Sequence, residues 1–378
     1  MTELDETSPP TATVRHAVAD WVELACLVSL DGFFAVPELV GARERQKDTG
    51  QASSETGAQL VLAQLDDTGD SDDGILPSQG DQALRETDPP DVSFEEAVAQ
   101  VADPPVTGEI ADVLAHLRSR ADMLRPARYP FDVEDRGLRL RTSLGAAHGI
   151  YIALLVCSNL NRLPETGRSE WTGGFERYCT HALAGWLGSM YRVEVFGTAA
   201  RAGELFHGDT RQALETLCTA VGWTLALGEE DERTLPSSGD RGLDGVAWRV
   251  DGDDPADLWV TYFVQAACGK NWPDKQDEAS RDRWARFMAI TSPLQSVLAI
   301  PYWQRETSKR WAKSVELSRA NVFLDRYRLL SLAADAPAFA EFPTARVESL
   351  VAGGSRKDPL GGASRSNNKS RSRTRPRK

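Results

Sequence analysis

The chain has 378 residues, 41% of them hydrophobic, with 56 acidic against 43 basic side chains and a formal net charge of -13. That length buries at least one large core and suggests about two domains; the charge excludes a uniformly basic nucleic-acid binder. No apolar run reaches the ~18 residues of a membrane span, and the opening MTELDETSPPTATVRHAVADW is acidic where a signal peptide is basic and then apolar.

We therefore expect a cytoplasmic protein with no membrane partner. Cysteines 26, 157, 179, 218 and 268 stand far apart in apolar surroundings, which excludes a CxxC zinc half-site and a disulfide ladder and reads as buried small hydrophobes. Histidines 16, 116, 148, 181 and 207 stand singly, without ligand spacing. There is no P-loop and no G-x-G-x-x-G.

Residues 1–42 form an N-terminal helical segment in which Val14, Ala17, Val18, Val22, Ala25 and Val28 recur at helical spacing. From 43 to 108 the composition turns to Asp, Glu, Gly, Ser, Thr and Pro, an acidic and mostly disordered linker. Its DDTGDSDDG lacks the D-x-[DN]-x-[DN]-G spacing of a calcium loop, while AQLVLAQL and FEEAVAQVA allow a short strand and a helix. The region 109–170 is helical: GEIADVLAHLRSRADML has helical periodicity, and GIYIALLVCSNLNRL is a buried helix or, alternatively, a buried strand.

The region 171–335 reads as the main α/β (α+β) domain. GGFERYCTHALAGWLG is an amphipathic helix, and DTRQALETLCTAVGW is a second, capped by Asp209. Strands follow at TLAL, DGVAWRV and LWVTYFVQAA, the last two joined by an acidic turn that closes only an antiparallel hairpin. In the last strand Thr261, Phe263 and Gln265 share one face, so Gln265 is a polar group on a partly apolar surface. RDRWARFMAI and RANVFLDRYRLLSLA read as helices flanking a strand at SVLAIPYW. Residues 336–352 form a C-terminal segment. The tail from 353 to 378 holds nine Lys or Arg against one Asp, about +8, leaving -21 on the rest; it reads as disordered and suited to DNA phosphates, or as a solubilising terminus.

Gly222-Trp223 at the end of a helix, the turn Gly239-Asp240-x-Gly242-x-Asp244, and a strand closing on Gln265 together resemble the core of PD-(D/E)XK nucleases, in particular Mrr-like restriction endonuclease-like proteins of bacteria. The resemblance covers roughly a fifth of the chain. It implies a mixed sheet flanked by helices and a metal-dependent DNA nuclease, with a role in defence against phage or foreign DNA alongside a possible protein partner. It further implies Mg²⁺ or Mn²⁺ held by Asp244 and Gln265, with Gly239, Asp240 and Gly242 shaping the turn. The chemistry gives these positions a reason: phosphodiester hydrolysis uses a metal to activate water and offset phosphate charge, and Mg²⁺ favours one or two carboxylates. The family's lysine, two residues after the amide, is replaced by Ala267, so Lys270 or Lys275 is the expected substitute; Glu176 or Glu215 is the expected further acid. The alternatives are a noncatalytic nuclease-fold protein that binds nucleic acid or a partner, and an interaction protein working through its linker and tail.

Overall fold

A computed structural model describes residues 12–29, 31–35, 104–135, 137–160, 163, 165–228, 242–250, 259–312 and 319–352. Most of the linker, the tail, Gly239 and Asp240 lie outside the described residues, and so do the expected elements at AQLVLAQL and FEEAVAQVA.

The helices are α1 (Ala12–Val28), α2 (Pro104–Arg128), α3 (Ala146–Cys157), α4 (Glu165–Leu187), α5 (Thr210–Val221), α6 (Arg281–Trp284), α7 (Arg326–Leu332), α8 (Ala336–Phe339) and α9 (Thr344–Val351). The strands are β1 (Phe33–Ala35), β2 (Phe131–Val133), β3 (Gly137–Leu140), β4 (Tyr191–Val195), β5 (Thr224–Leu225), β6 (Gly245–Arg249), β7 (Thr261–Ala266), β8 (Met288–Ala289), β9 (Leu294–Ala299) and β10 (Val322–Leu324). α3 resolves the helix-or-strand ambiguity in favour of a buried helix.

The central sheet has the order β10-β9-β7-β6-β4. β4, β6 and β7 pair antiparallel, whereas β7, β9 and β10 run parallel, so the sheet is mixed and flanked by helices. Side-chain alternation divides two cores between its faces. Ala247, Val264 and Val297 join α1, α3, α4 and α7 on one side; Val246, Trp248 and Phe263 join α5 and Trp284 on the other.

Three expectations are corrected. RDRWARFMAI is helical only over α6, because Phe287, Met288 and Ile290 fill the second core and Met288 pairs with Leu225 in a two-stranded sheet. RANVFLDRYRLLSLA begins as β10 beside β9, and the Asp325 side chain, accepting the Arg328 N–H, starts α7 only afterwards. The division at 170/171 falls inside α4, and one core joins α1–α4 and α7–α9 to β6, β7, β9 and β10, so the helices before 171 pack on the sheet. β4 and the small β1-β3-β2 sheet were not anticipated.

A buried ionic network ties the first helix to the last third of the chain. Arg120 Nη1 donates to Asp20 at 2.7 Å and to Glu23 at 2.8 Å, and Arg326 Nη2 donates to Asp20 at 2.9 Å. Tyr129 and Tyr151 hydroxyls donate to Glu23 at 2.7 and 2.9 Å. Burial alone would raise the Asp20 pKa, but the Arg326 and Arg120 guanidiniums outweigh it and hold the carboxyl below its usual range. Arg326 Nη2 also donates to Ser158 Oγ at 2.8 Å, fixing the residue that caps α3.

Candidate active site

Where β6 begins, the Asp244 N–H donates to the Val264 carbonyl at 2.8 Å, although Val264 is the register partner of Gly245. Two residues thus face one, a bulge that re-aims the Asp244 side chain. Its Oδ2 accepts the Ala266 N–H at 2.6 Å, just past Gln265. Asp244 and Gln265 are each 4% exposed. Gln265 Nε2 donates to the Ala266 carbonyl at 3.3 Å, while its Oε1 is buried without a hydrogen-bond partner.

Gly242 completes this floor. Its φ of +85° favours glycine, and a Cβ there would lie 2.5 Å from Glu278 Oε2 and 2.7 Å from Gln265 Oε1. The turn therefore needs glycine for both its conformation and its close approach.

Around these groups opens a cleft of about 680 Å³ that brings together Glu176, Asp244, Gln265, Lys270, Lys275 and Glu278. α4 supplies Glu176 to one wall; the segment after β7 supplies both lysines. Lys275 ends a single 3-10 turn anchored by buried Trp272, whose ring packs 5.5 Å from Phe323. Lys270 is more exposed, and neither lysine forms an ion pair with a described residue. Burial pushes the Cys179 thiol upward, and the charges of Asp244 and Glu176 reinforce it.

Two sequence-derived positions behave differently. Glu215 is exposed on α5, pairs with Arg211 at 2.9 Å, and lines a separate groove with Arg192 and Trp248, so the further acid is not supplied from α5. Ala267 is 1% exposed and packs with Trp272, Leu298 and Ile300, a position that would bury a lysine ammonium. Sequence reasoning missed Arg168, Glu278, Arg283 and Tyr302, which also line the cleft. Their only local signal was polarity, which surface residues share.

Among the described residues no group of three or more His, Cys, Asp or Glu is arranged to hold a metal ion. The oxygen donors here are instead carboxylates with a buried, unpaired amide oxygen, a hard set that fits Mg²⁺ or Mn²⁺ better than a soft metal. Compared with protein-family models, with curated proteins and with solved structures, the chain matches none. Among the described residues no helix is long and apolar enough to cross a membrane.

Proposed function

We propose that this protein is a metal-dependent nuclease of the restriction endonuclease-like class, hydrolysing DNA phosphodiester bonds with Mg²⁺ or Mn²⁺ held by Asp244 and Gln265. The observation that carries this reading is the convergence of Asp244, Gln265, Lys270, Lys275 and Glu176 on one cleft at the end of the central strands. The order in which α5 ends at Gly222-Trp223, β5 follows, and β6 and β7 form an adjacent antiparallel pair also supports it.

When bound, the cation would lower the pKa of an attacking water and offset charge on the phosphate. The chain's own groups act around that centre. Asp244 holds a fixed negative charge, oriented by the Ala266 N–H. The Gln265 amide offers the lone pairs of an unpaired oxygen. The Lys275 and Lys270 ammonium groups would donate to phosphate oxygens and stabilise the charge that develops on them. Gly242 keeps the floor open. The resemblance further implies a place in bacterial defence with a partner protein.

The test is divalent-dependent degradation of linear and supercoiled DNA by wild type and Asp244→Ala, with circular dichroism to check folding. Activity in the wild type alone is expected; equal activity in both removes Asp244 from the site. One observation favours a second reading, a noncatalytic nuclease-fold protein: Ala267 occupies the lysine position within an apolar cluster. A wild type inert with every divalent metal would favour it.

A further inference from the structure

We propose that Glu278 is the second carboxylate of the cation site, acting with Asp244 and Gln265. This rests on the nuclease reading for what the site binds and extends it by naming a ligand that neither the turn motif nor α4 supplies.

Glu278 is held in place through its backbone. Its N–H donates to the Lys275 carbonyl at 3.1 Å, and its carbonyl accepts the indole N–H of fully buried Trp284 at 2.8 Å. Ala279 beside it is buried, so the segment is clamped to the second core. From that anchor the side chain reaches over Gly242, where Oε2 and Gln265 Oε1 stand 2.5 and 2.7 Å from the position a Cβ would take. The two oxygens are therefore no further apart than those distances laid end to end.

Both are acceptors. An ionised carboxylate and an amide oxygen have no proton to offer each other, so their convergence is repulsive until a cation or a donor comes between them. Among the described residues the Glu278 carboxylate makes no hydrogen bond or ion pair, and the Gln265 oxygen is buried and unpaired. Buried polar atoms are satisfied as a rule, so the buried, unpaired Gln265 oxygen with the half-buried Glu278 carboxylate beside it marks a place built for a ligand. A small hard cation with one or two carboxylates and water fits its chemistry. Lys270, Lys275 and Arg283 along the same cleft would offset phosphate charge beside it.

The experiment titrates Mn²⁺ into the full-length protein, reading free Mn²⁺ by electron paramagnetic resonance, without substrate. Glu278→Gln is expected to weaken binding about tenfold or more, because cation affinity follows the number of charged ligands. Glu278→Asp, which keeps the charge one methylene short, is expected to fall between, and Glu215→Gln on α5 to match wild type. Thermal melts check each variant; if Glu278→Gln does not fold, Glu278→Asp carries the test, and wild-type affinity there overturns the proposal. Loss of binding in Asp244→Asn with full binding in Glu278→Gln overturns the role of Glu278 and leaves the nuclease reading standing. Loss in Glu176→Gln but not Glu278→Gln also overturns it, assigning the second carboxylate to α4. A wild type that binds no Mn²⁺ at millimolar concentration removes both the proposal and the reading beneath it.

Discussion

Asp244 and Ala266 are joined across the two central strands, the Asp244 Oδ2 accepting the Ala266 N–H at 2.6 Å. The bond locks the carboxylate to the backbone immediately after Gln265, so acid and amide hold a common position set by the β6–β7 pairing. A side chain fixed this way does not reorganise when it meets a charge, which is the condition for strong electrostatic stabilisation.

That bond separates two substitutions. Asp244→Ala leaves the buried Ala266 N–H without its acceptor and should cost ~1–3 kcal/mol of stability in addition to abolishing metal-dependent cleavage. Asp244→Asn retains an acceptor oxygen and should abolish cleavage with a smaller stability loss. Urea denaturation run beside the DNA-degradation assay reads both quantities.

The lysines are expected to differ. Lys275 is the more enclosed and sits on a turn fixed by Trp272, so Lys275→Ala should lower kcat by roughly 10²–10³, the loss typical of one preorganised charge donor, while Lys270→Ala costs under about tenfold. Ala267→Lys, which would supply the lysine that the proposed nuclease reading expects there, should instead destabilise the fold by burying an ammonium among Trp272, Leu298 and Ile300. Steady-state cleavage kinetics and thermal melts of the three variants would show this order or reverse it.

Gly242→Ala tests the floor of the cleft without removing a charge. Its methyl would meet Glu278 Oε2 and Gln265 Oε1 at a backbone φ of +85°, so both side chains must withdraw. We expect Mn²⁺ affinity and cleavage to fall together, with a stability loss of about 1 kcal/mol from the left-handed backbone. Isothermal titration calorimetry of the folded variant would measure the affinity.

The buried network gives a pH signature distinct from the site. Arg326→Leu leaves Asp20 and Glu23 short of a partner and should cost ~3–5 kcal/mol. The Asp20 carboxyl is held below its usual range by Arg326 and Arg120 against the opposing effect of burial. A depressed folded-state pKa stabilises above the unfolded value, so its contribution should be complete above about pH 4 and drain away as pH falls further. Urea midpoints measured from pH 6 to pH 2 should decline less steeply in Arg326→Leu than in wild type.

Deleting residues 353–378 removes a net charge of about +8 by sequence. If that tail binds phosphates, DNA binding should weaken and the dependence of log K on log salt should flatten, by about 0.9 for each phosphate that the tail neutralises. Fluorescence anisotropy at several salt concentrations gives the slope; an unchanged slope would leave the tail as a solubiliser.

What the sequence determined by itself was local. Helical periodicity located α1, α2, α4 and α5, Asp209 marked the start of α5, and the alternation in LWVTYFVQAA together with the glycine-flanked turn singled out Asp244 and Gln265, whereas the apolar run of α3 left helix and strand both open. Those signals are legible because they depend on residues a few positions apart. β4 and β10 were missed or read as helix because strands of five and three residues carry too little pattern, and each is stabilised by the neighbour it pairs with. The tertiary structure alone put Glu176 in the cleft and Glu215 in a separate groove, brought Glu278 over Gly242, and joined Asp20 to Arg326 across 306 residues. Charge and hydropathy do not encode which distant surfaces meet; burial does, by forcing each polar group that enters the core to find its partner there.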